Sequence, residues 1–192
     1  MSHGADLGPA PGPVVDPDTP AMLVPLARAL LWVNRAMVFL GMLALLVASF
    51  VLTFSVFSRY LVKASTDWQD EAAVFCLVGA TFLCGAFVQS LRGHVGIEAV
   101  ATLLPRAVNR LRLALVDLMC TLFCVFFSWK SWTLLHEAWV DGQTTSSSWA
   151  PPLWIPYLLM SVGMSLLALQ LLVQFTARLN GLFVKSRPTV TA

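Results

Sequence analysis

Two long stretches without a charged residue, residues 36–58 and 72–91, constrain this sequence more than any other feature. Each is close to the roughly 20 residues that an α-helix needs to cross the hydrocarbon core of a bilayer. Two further apolar stretches follow, at about residues 111–135 and 153–177. The sequence therefore predicts an all-α membrane protein with four transmembrane helices, at about residues 36–58, 68–91, 111–135 and 153–177.

The composition supports a membrane protein and weakens several other classes. Only 11% of the 192 residues are charged and mean hydropathy is +0.77, whereas a soluble domain has about 25% charged residues. The net charge of +2 gives no argument for nucleic acid. The four cysteines lie inside apolar stretches without a C-x-x-C pair, which argues against a membrane thiol oxidoreductase.

The domain organisation follows from the position of these stretches. We predict a disordered cytoplasmic tail at residues 1–25, which lacks the pattern of a cleavable signal peptide. The transmembrane domain covers residues 26–180, with residues 26–34 as an interfacial lead-in to the first helix, and residues 181–192 form a second tail. Four spans place both termini on the same side of the membrane. Of the 12 Lys and Arg residues, nine then lie on that side and three on the other: Arg59, Lys63 and Lys130. The positive-inside rule then predicts that both termini are cytoplasmic.

The link between the second and third spans contains His94 and an amphipathic stretch. Apolar residues between 95 and 104 partly follow a helical spacing, opposite Glu98 and Thr102. This pattern predicts a short helix that lies in the membrane interface.

The turn between the first two spans is rich in charged and aromatic residues. It contains Arg59, Tyr60, Trp68, Asp70 and Glu71. The acidic residues suit the N-terminal end of the second helix, and the rings suit the interface. A solvated interfacial turn and a subunit-binding surface are both compatible with this pattern. We also expect the small-residue faces of the first two helices to face lipid unless a partner covers them.

The second outward link, residues 136–152, is polar and too short for a domain. It carries Gly142, Thr144, Thr145 and Pro152, and Trp154 follows at the start of the fourth span. A plain connector and a periplasmic docking loop are equally compatible with this composition.

The sequence shows no evident catalytic or cofactor-binding site. His94 and His136 fall at opposite membrane faces, about 30 Å apart, so they do not form the two axial ligands of one haem. No nucleophile–base pair, metal-spaced cluster or phosphate-binding glycine loop is present. Asp117 and Lys130 lie near the two ends of the third span, where snorkelling to the surface explains them more simply than a functional site. We therefore expect a non-enzymatic subunit without cofactors.

The order and spacing of several short motifs resemble the small (Q-type) membrane subunit of tripartite ATP-independent periplasmic (TRAP) transporters. The resemblance covers residues 32–175, and no single motif is diagnostic. The motifs are Ser58-Arg59-Tyr60, Trp68-x-Asp70-Glu71, Gly79-Ala80, His94-Val95-x-Ile97-Glu98, Trp139-x-x-Gly142-x-Thr144 and Pro152-x-Trp154-x-x-Tyr157 running into Gly163. The polar segment 146–150 departs from the more aliphatic family pattern.

The resemblance implies sodium-coupled import of an organic acid across a bacterial inner membrane. A large membrane subunit would carry the transport and the sodium, and a periplasmic protein would capture the substrate. The small subunit would act as a scaffold and would help to dock the periplasmic protein. The subunit interface or turn would comprise Arg59, Tyr60, Trp68, Asp70, Glu71 and His94, and the docking loop would comprise Gly142, Thr144, Thr145, Pro152 and Trp154. The alternatives are a quinone- or haem-linked redox subunit and a small stand-alone exporter.

Overall fold

A computed structural model describes residues 19–62, 67–91 and 106–184. Four helices long and apolar enough to cross a membrane account for most of these residues. They are α1 (Val24–Phe57), α2 (Asp67–Ser90), α3 (Arg106–Val140) and α4 (Trp154–Val184). The predicted four-helix membrane architecture is confirmed, whereas the expected interfacial helix at residues 95–104 lies outside the described residues.

Three of the four helices extend well beyond the spans expected from the sequence. A 3₁₀ turn at Ala21–Leu23 leads directly into α1, so helical structure begins inside the segment expected to be a tail. Helix α1 then continues without a break through the expected lead-in. Helix α3 runs to Val140, so the assignment of His136 to a loop was wrong. Charged and polar residues continue a helix readily once it has left the hydrocarbon core, so hydropathy marks the membrane boundary and not the helix end.

The helices pack in the order α1, α2, α4, α3, and α4 contacts each of the other three. Close approach depends on glycines that face a neighbouring helix. A Cβ atom added to Gly163 of α4 would lie 2.4 Å from the carbonyl oxygen of Phe82 on α2. A Cβ atom added to Gly41 of α1 would lie 2.5 Å from Cys84 Sγ. The absence of a side chain at these two positions allows α2 to pack tightly against α1 and α4.

The small residues of the first two helices pack within the chain, which corrects the expectation that they face lipid. Ala80 and Ala86 of α2 are 4% and 0% exposed, and Ala48 of α1 is 2% exposed. The surface left for lipid or a partner consists instead of large apolar side chains. The small-residue pattern therefore marks the contacts between helices of this chain.

A line of polar residues runs along the buried side of α4 at intervals of four residues. Gln170 accepts a hydrogen bond from Asn34 Nδ2 of α1 at 3.2 Å, and Gln174 accepts one from Gln89 Nε2 of α2 at 2.9 Å. Arg178 forms an ion pair with Asp117 of α3. The three residues thus connect α4 to each of its neighbours in turn. Between the membrane surfaces such bonds favour one rotation of each helix about its axis.

Candidate docking surface at one end of the bundle

Asp70 holds the turn between α1 and α2 together. It lies in the first turn of α2 and forms an ion pair with Arg59. Its other carboxylate oxygen accepts a hydrogen bond from Ser55 Oγ of α1 at 3.3 Å. Arg59 lies in a π-helical turn, Ser58–Val62, that extends α1. The carboxylate therefore joins the end of one spanning helix to the start of the next, and about half of each side chain in the ion pair remains exposed.

The other residues expected in this turn occupy different environments. Tyr60 is 87% exposed and Trp68 is 47% exposed. One carboxylate oxygen of Glu71 is buried without a hydrogen-bond partner among the described residues. Asp70 and Glu71 are therefore not equivalent, although the sequence places them side by side. His94 lies outside the described residues.

The loop between α3 and α4 is folded back on itself. Thr144 and Pro152 form an isolated antiparallel bridge. Thr145 N–H donates to the carbonyl of Pro151 at 3.1 Å, and Leu153 N–H donates to the carbonyl of Gln143 at 2.9 Å. The expected loop residues Thr144, Thr145 and Pro152 are thus brought together at the base of the loop. These bonds give the loop a defined shape.

Two backbone positions in the left-handed region shape this loop. Gly142 has a φ of 59° and follows the last turn of α3, where glycine commonly ends a helix. Ala150 has a φ of 46° at the other end of the loop tip, which is unfavourable for a residue with a Cβ atom. Its N–H donates to Ser147 Oγ at 3.1 Å. A serine in the segment that departs from the family pattern therefore helps to hold this conformation.

Two tryptophan pairs connect the loop to the helices. The ring of Trp149 lies edge-on to that of Trp68, with centroids 6.3 Å apart. Trp139 and Trp154 form a second edge-on pair at 5.0 Å beneath the loop. Trp154 thus belongs to the support of the loop, whereas Trp149 reaches the turn. The turn and the loop, which were expected separately from the sequence, form one surface. We call it the candidate docking surface, or docking surface for short: residues 59–60, 68–71 and 142–150.

The ion pair at the opposite end of the bundle was missed from the sequence. Asp117 Oδ2 lies 2.6 Å from Arg178 Nη1, and these side chains are 12% and 22% exposed. The same guanidinium donates to the carbonyl of Leu113 at 3.0 Å. Asp117 is therefore a paired structural residue, not a snorkelling one. The four-residue spacing of Gln170, Gln174 and Arg178 in an apolar helix was the available signal.

The first helix presents the most exposed apolar face of the four. Of the 18 most hydrophobic consecutive residues of α1, 11% are buried, compared with 44% of the corresponding residues of α4. Six large side chains follow one another at intervals of three or four residues along it, and we call them the α1 stripe: Phe39, Leu43, Leu46, Phe50, Phe54 and Phe57. The α1 stripe leads directly into the π-helical turn of the docking surface.

Comparisons with known proteins agree with this architecture. The sequence model of the family described as "Tripartite ATP-independent periplasmic transporters, DctQ component" matches residues 48–181. The chain is also 26% identical over 138 residues to the isethionate TRAP transporter permease protein DctMQ of Oleidesulfovibrio alaskensis. That match covers 69% of this chain but 21% of the permease, so the chain spans about a fifth of its relative's length. No solved structure matches.

The fold defines a polytopic membrane protein whose described residues form four spanning helices and a structured loop at one end. The family match covers well over half of the sequence, and the chain belongs to the DctQ component family of TRAP transporters. It is thus a small, multi-pass inner-membrane component of a transport system.

Proposed function

We propose that this chain is the small subunit of a sodium-coupled TRAP transporter that imports an organic acid. In this proposal the chain does not transport by itself and serves as a scaffold for a large membrane subunit. Family membership supports this role. The relative supports it further, because most of that permease lies outside the matched segment. Isethionate, the substrate in the relative's name, is an organic anion and agrees with the proposed substrate class.

The observation that carries the proposal is the exposure of α1. The other side of this helix is well packed, since Asn34 and Ser55 are 0% and 3% exposed. The α1 stripe has no such cover, and it contains four phenylalanines without an intervening charge. Helices in lipid associate through van der Waals contact rather than hydrophobic exclusion, and aromatic rings provide large contact areas. We therefore assign the large subunit to the α1 stripe.

The docking surface would contact the periplasmic binding protein. This assignment requires both termini in the cytoplasm, which the distribution of Lys and Arg supports. The bridge at Thr144 and the Trp68–Trp149 contact give the surface a fixed shape. A fixed shape lowers the entropy lost on binding. Exposed polar side chains at residues 144, 146 and 148 suit a weak and reversible contact.

Co-purification combined with crosslinking tests the proposal. A photoreactive amino acid replaces Phe50 on α1 or, as a matched control, Phe123 on α3, which are 74% and 63% exposed. We expect the large subunit to co-purify with both variants and to crosslink at residue 50 but not at residue 123. Crosslinking at residue 123 alone would move the interface to α3. Purification of the chain without any large partner would contradict the scaffold role itself.

A further inference from the structure

A small basic cleft lies on the N-terminal third of α1, far from the docking surface. Its walls are Arg28, Leu31, Trp32 and Arg35, and its volume is about 160 Å³. These positions follow one another at intervals of three, one and three residues, so they share one side of the helix. Trp32 is 75% exposed. Neither arginine has a hydrogen-bond or ion-pair partner among the described residues.

If the charge-free residues 36–58 span the hydrocarbon core, the cleft lies just outside it, at the depth of a lipid headgroup. Asn34 contacts Gln170 of α4, which precedes Arg178 by eight residues and so lies about 12 Å nearer the middle of that helix. Arg35 follows Asn34 in the sequence, so its Cα atom lies at nearly the same level along α1. Side chains on a helix lean towards its N-terminus, so the guanidinium of Arg35 leans towards Trp32 and Arg28, away from the bilayer centre. Two cations and an interfacial indole thus converge near one membrane surface.

A guanidinium at this depth needs a negative partner, and the described residues supply no anion to either arginine. Water alone serves poorly there, because an arginine near the hydrocarbon core is unfavourable unless it reaches charged or polar groups. Phosphate oxygens accept paired hydrogen bonds from guanidinium groups. Basic pockets on transmembrane helices near the cytoplasmic side are suited to anionic headgroups. The indole of Trp32 suits the boundary between headgroup and acyl chain.

We propose that this cleft binds the headgroup of one anionic phospholipid, with its phosphate between Arg28 and Arg35 and its glycerol backbone against Trp32. The binding would anchor α1 at a fixed depth at the end opposite the docking surface. The inference requires that α1 spans the membrane, but it does not depend on the proposed transport function. Its failure and the failure of the scaffold role are therefore separate results.

Lipid binding to the full chain, both alone and in complex with its large partner, tests the proposal. The complex is delipidated in detergent and titrated with phosphatidylglycerol or phosphatidylcholine, and bound lipids are counted by native mass spectrometry. We expect the first phosphatidylglycerol to bind at a lipid concentration at least tenfold lower than the first phosphatidylcholine. Substitution to glutamine should weaken this binding by about fivefold for each arginine and by about 25-fold for both together.

Matched variants separate the cleft from general charge effects. Lys130→Gln removes one exposed cation from α3 and should leave phosphatidylglycerol binding unchanged, whereas Arg35→Gln should not. Arg28→Lys with Arg35→Lys keeps both charges and should retain the preference in part. If the double glutamine variant does not assemble, the two single variants provide the same comparison.

Three results would overturn the proposal. The first is equal binding of the two lipids by the unsubstituted complex. The second is a phosphatidylglycerol preference that survives both glutamine substitutions. The third is a preference seen with the chain alone but absent from the complex, which would show that the partner subunit covers the cleft.

Discussion

Breaking the ion pair between Asp117 and Arg178 should destabilise the helix bundle strongly. Its nitrogen and oxygen atoms lie 2.6 Å apart, and the side chains are 12% and 22% exposed. Removing one partner of a fully buried pair costs about 3–5 kcal/mol, and the residual exposure reduces our expectation to about 2–3 kcal/mol. Asp117→Asn should therefore lower the free energy of unfolding by that amount, because it leaves the Arg178 charge without its anion.

Arg178→Gln should be at least as damaging, because it also removes the bond to the carbonyl of Leu113, worth about 1 kcal/mol. The double variant should be little worse than Arg178→Gln alone, which gives a coupling energy of about 2 kcal/mol in a double-mutant cycle. The measurement is thermal unfolding in mild detergent, with the fraction of folded protein at each temperature read by gel filtration. For a chain of this size we expect Asp117→Asn to lower Tm by about 4–12 °C.

A control variant addresses the effect of losing a charge. Lys130 is exposed, and its Nζ lies 5.5 Å from the ring centroid of Trp129. Lys130→Gln should therefore change the free energy of unfolding by less than about 1 kcal/mol. Additive effects of Asp117→Asn and Arg178→Gln, within about 0.5 kcal/mol, would refute the inference that the two residues act as a pair.

Three further predictions concern packing, the loop and orientation. Gly163→Ala should destabilise the protein more than Gly79→Ala in the same thermal assay, because its new Cβ meets backbone, whereas that of Gly79 meets the flexible end of a leucine at 2.9 Å. Ala150→Pro should abolish the hydrogen-exchange protection of the loop, since proline cannot adopt a φ of 46°. Ala150→Gly should preserve this protection. Equal protection of the loop in the two variants would exclude a role for the left-handed conformation at residue 150. Single cysteines in a background without native cysteines should react with an impermeant thiol reagent in intact cells at Gln143 but not at Ser186, and the reverse pattern would invert the proposed topology.

The number and approximate position of the helices could be predicted from sequence because charge-free stretches of spanning length have few alternatives in lipid. The ends of the helices could not. His136 lies in α3 although it follows the apolar stretch, because a helix tolerates polar residues outside the hydrocarbon core.

Most contacts between helices could not be predicted from the sequence. Pairing of Asp117 with Arg178 depends on the rotation of α3 and α4 about their axes, and hydropathy does not determine that rotation. The small residues of α2 were expected to face lipid or a partner chain, because nothing in their spacing distinguishes contact with another chain from contact with α1 and α4. The Trp68–Trp149 contact was missed for a similar reason. It joins two links that are distant in sequence and depends on the folded shape of the loop.

Reconstituted transport tests the central claim most directly. The chain is placed in liposomes with the periplasmic binding protein, an inward sodium gradient and labelled organic acids including isethionate, with or without the large subunit. The account predicts sodium-dependent uptake when both membrane chains are present and none with either chain alone. Sodium-dependent uptake by the small chain alone would contradict it.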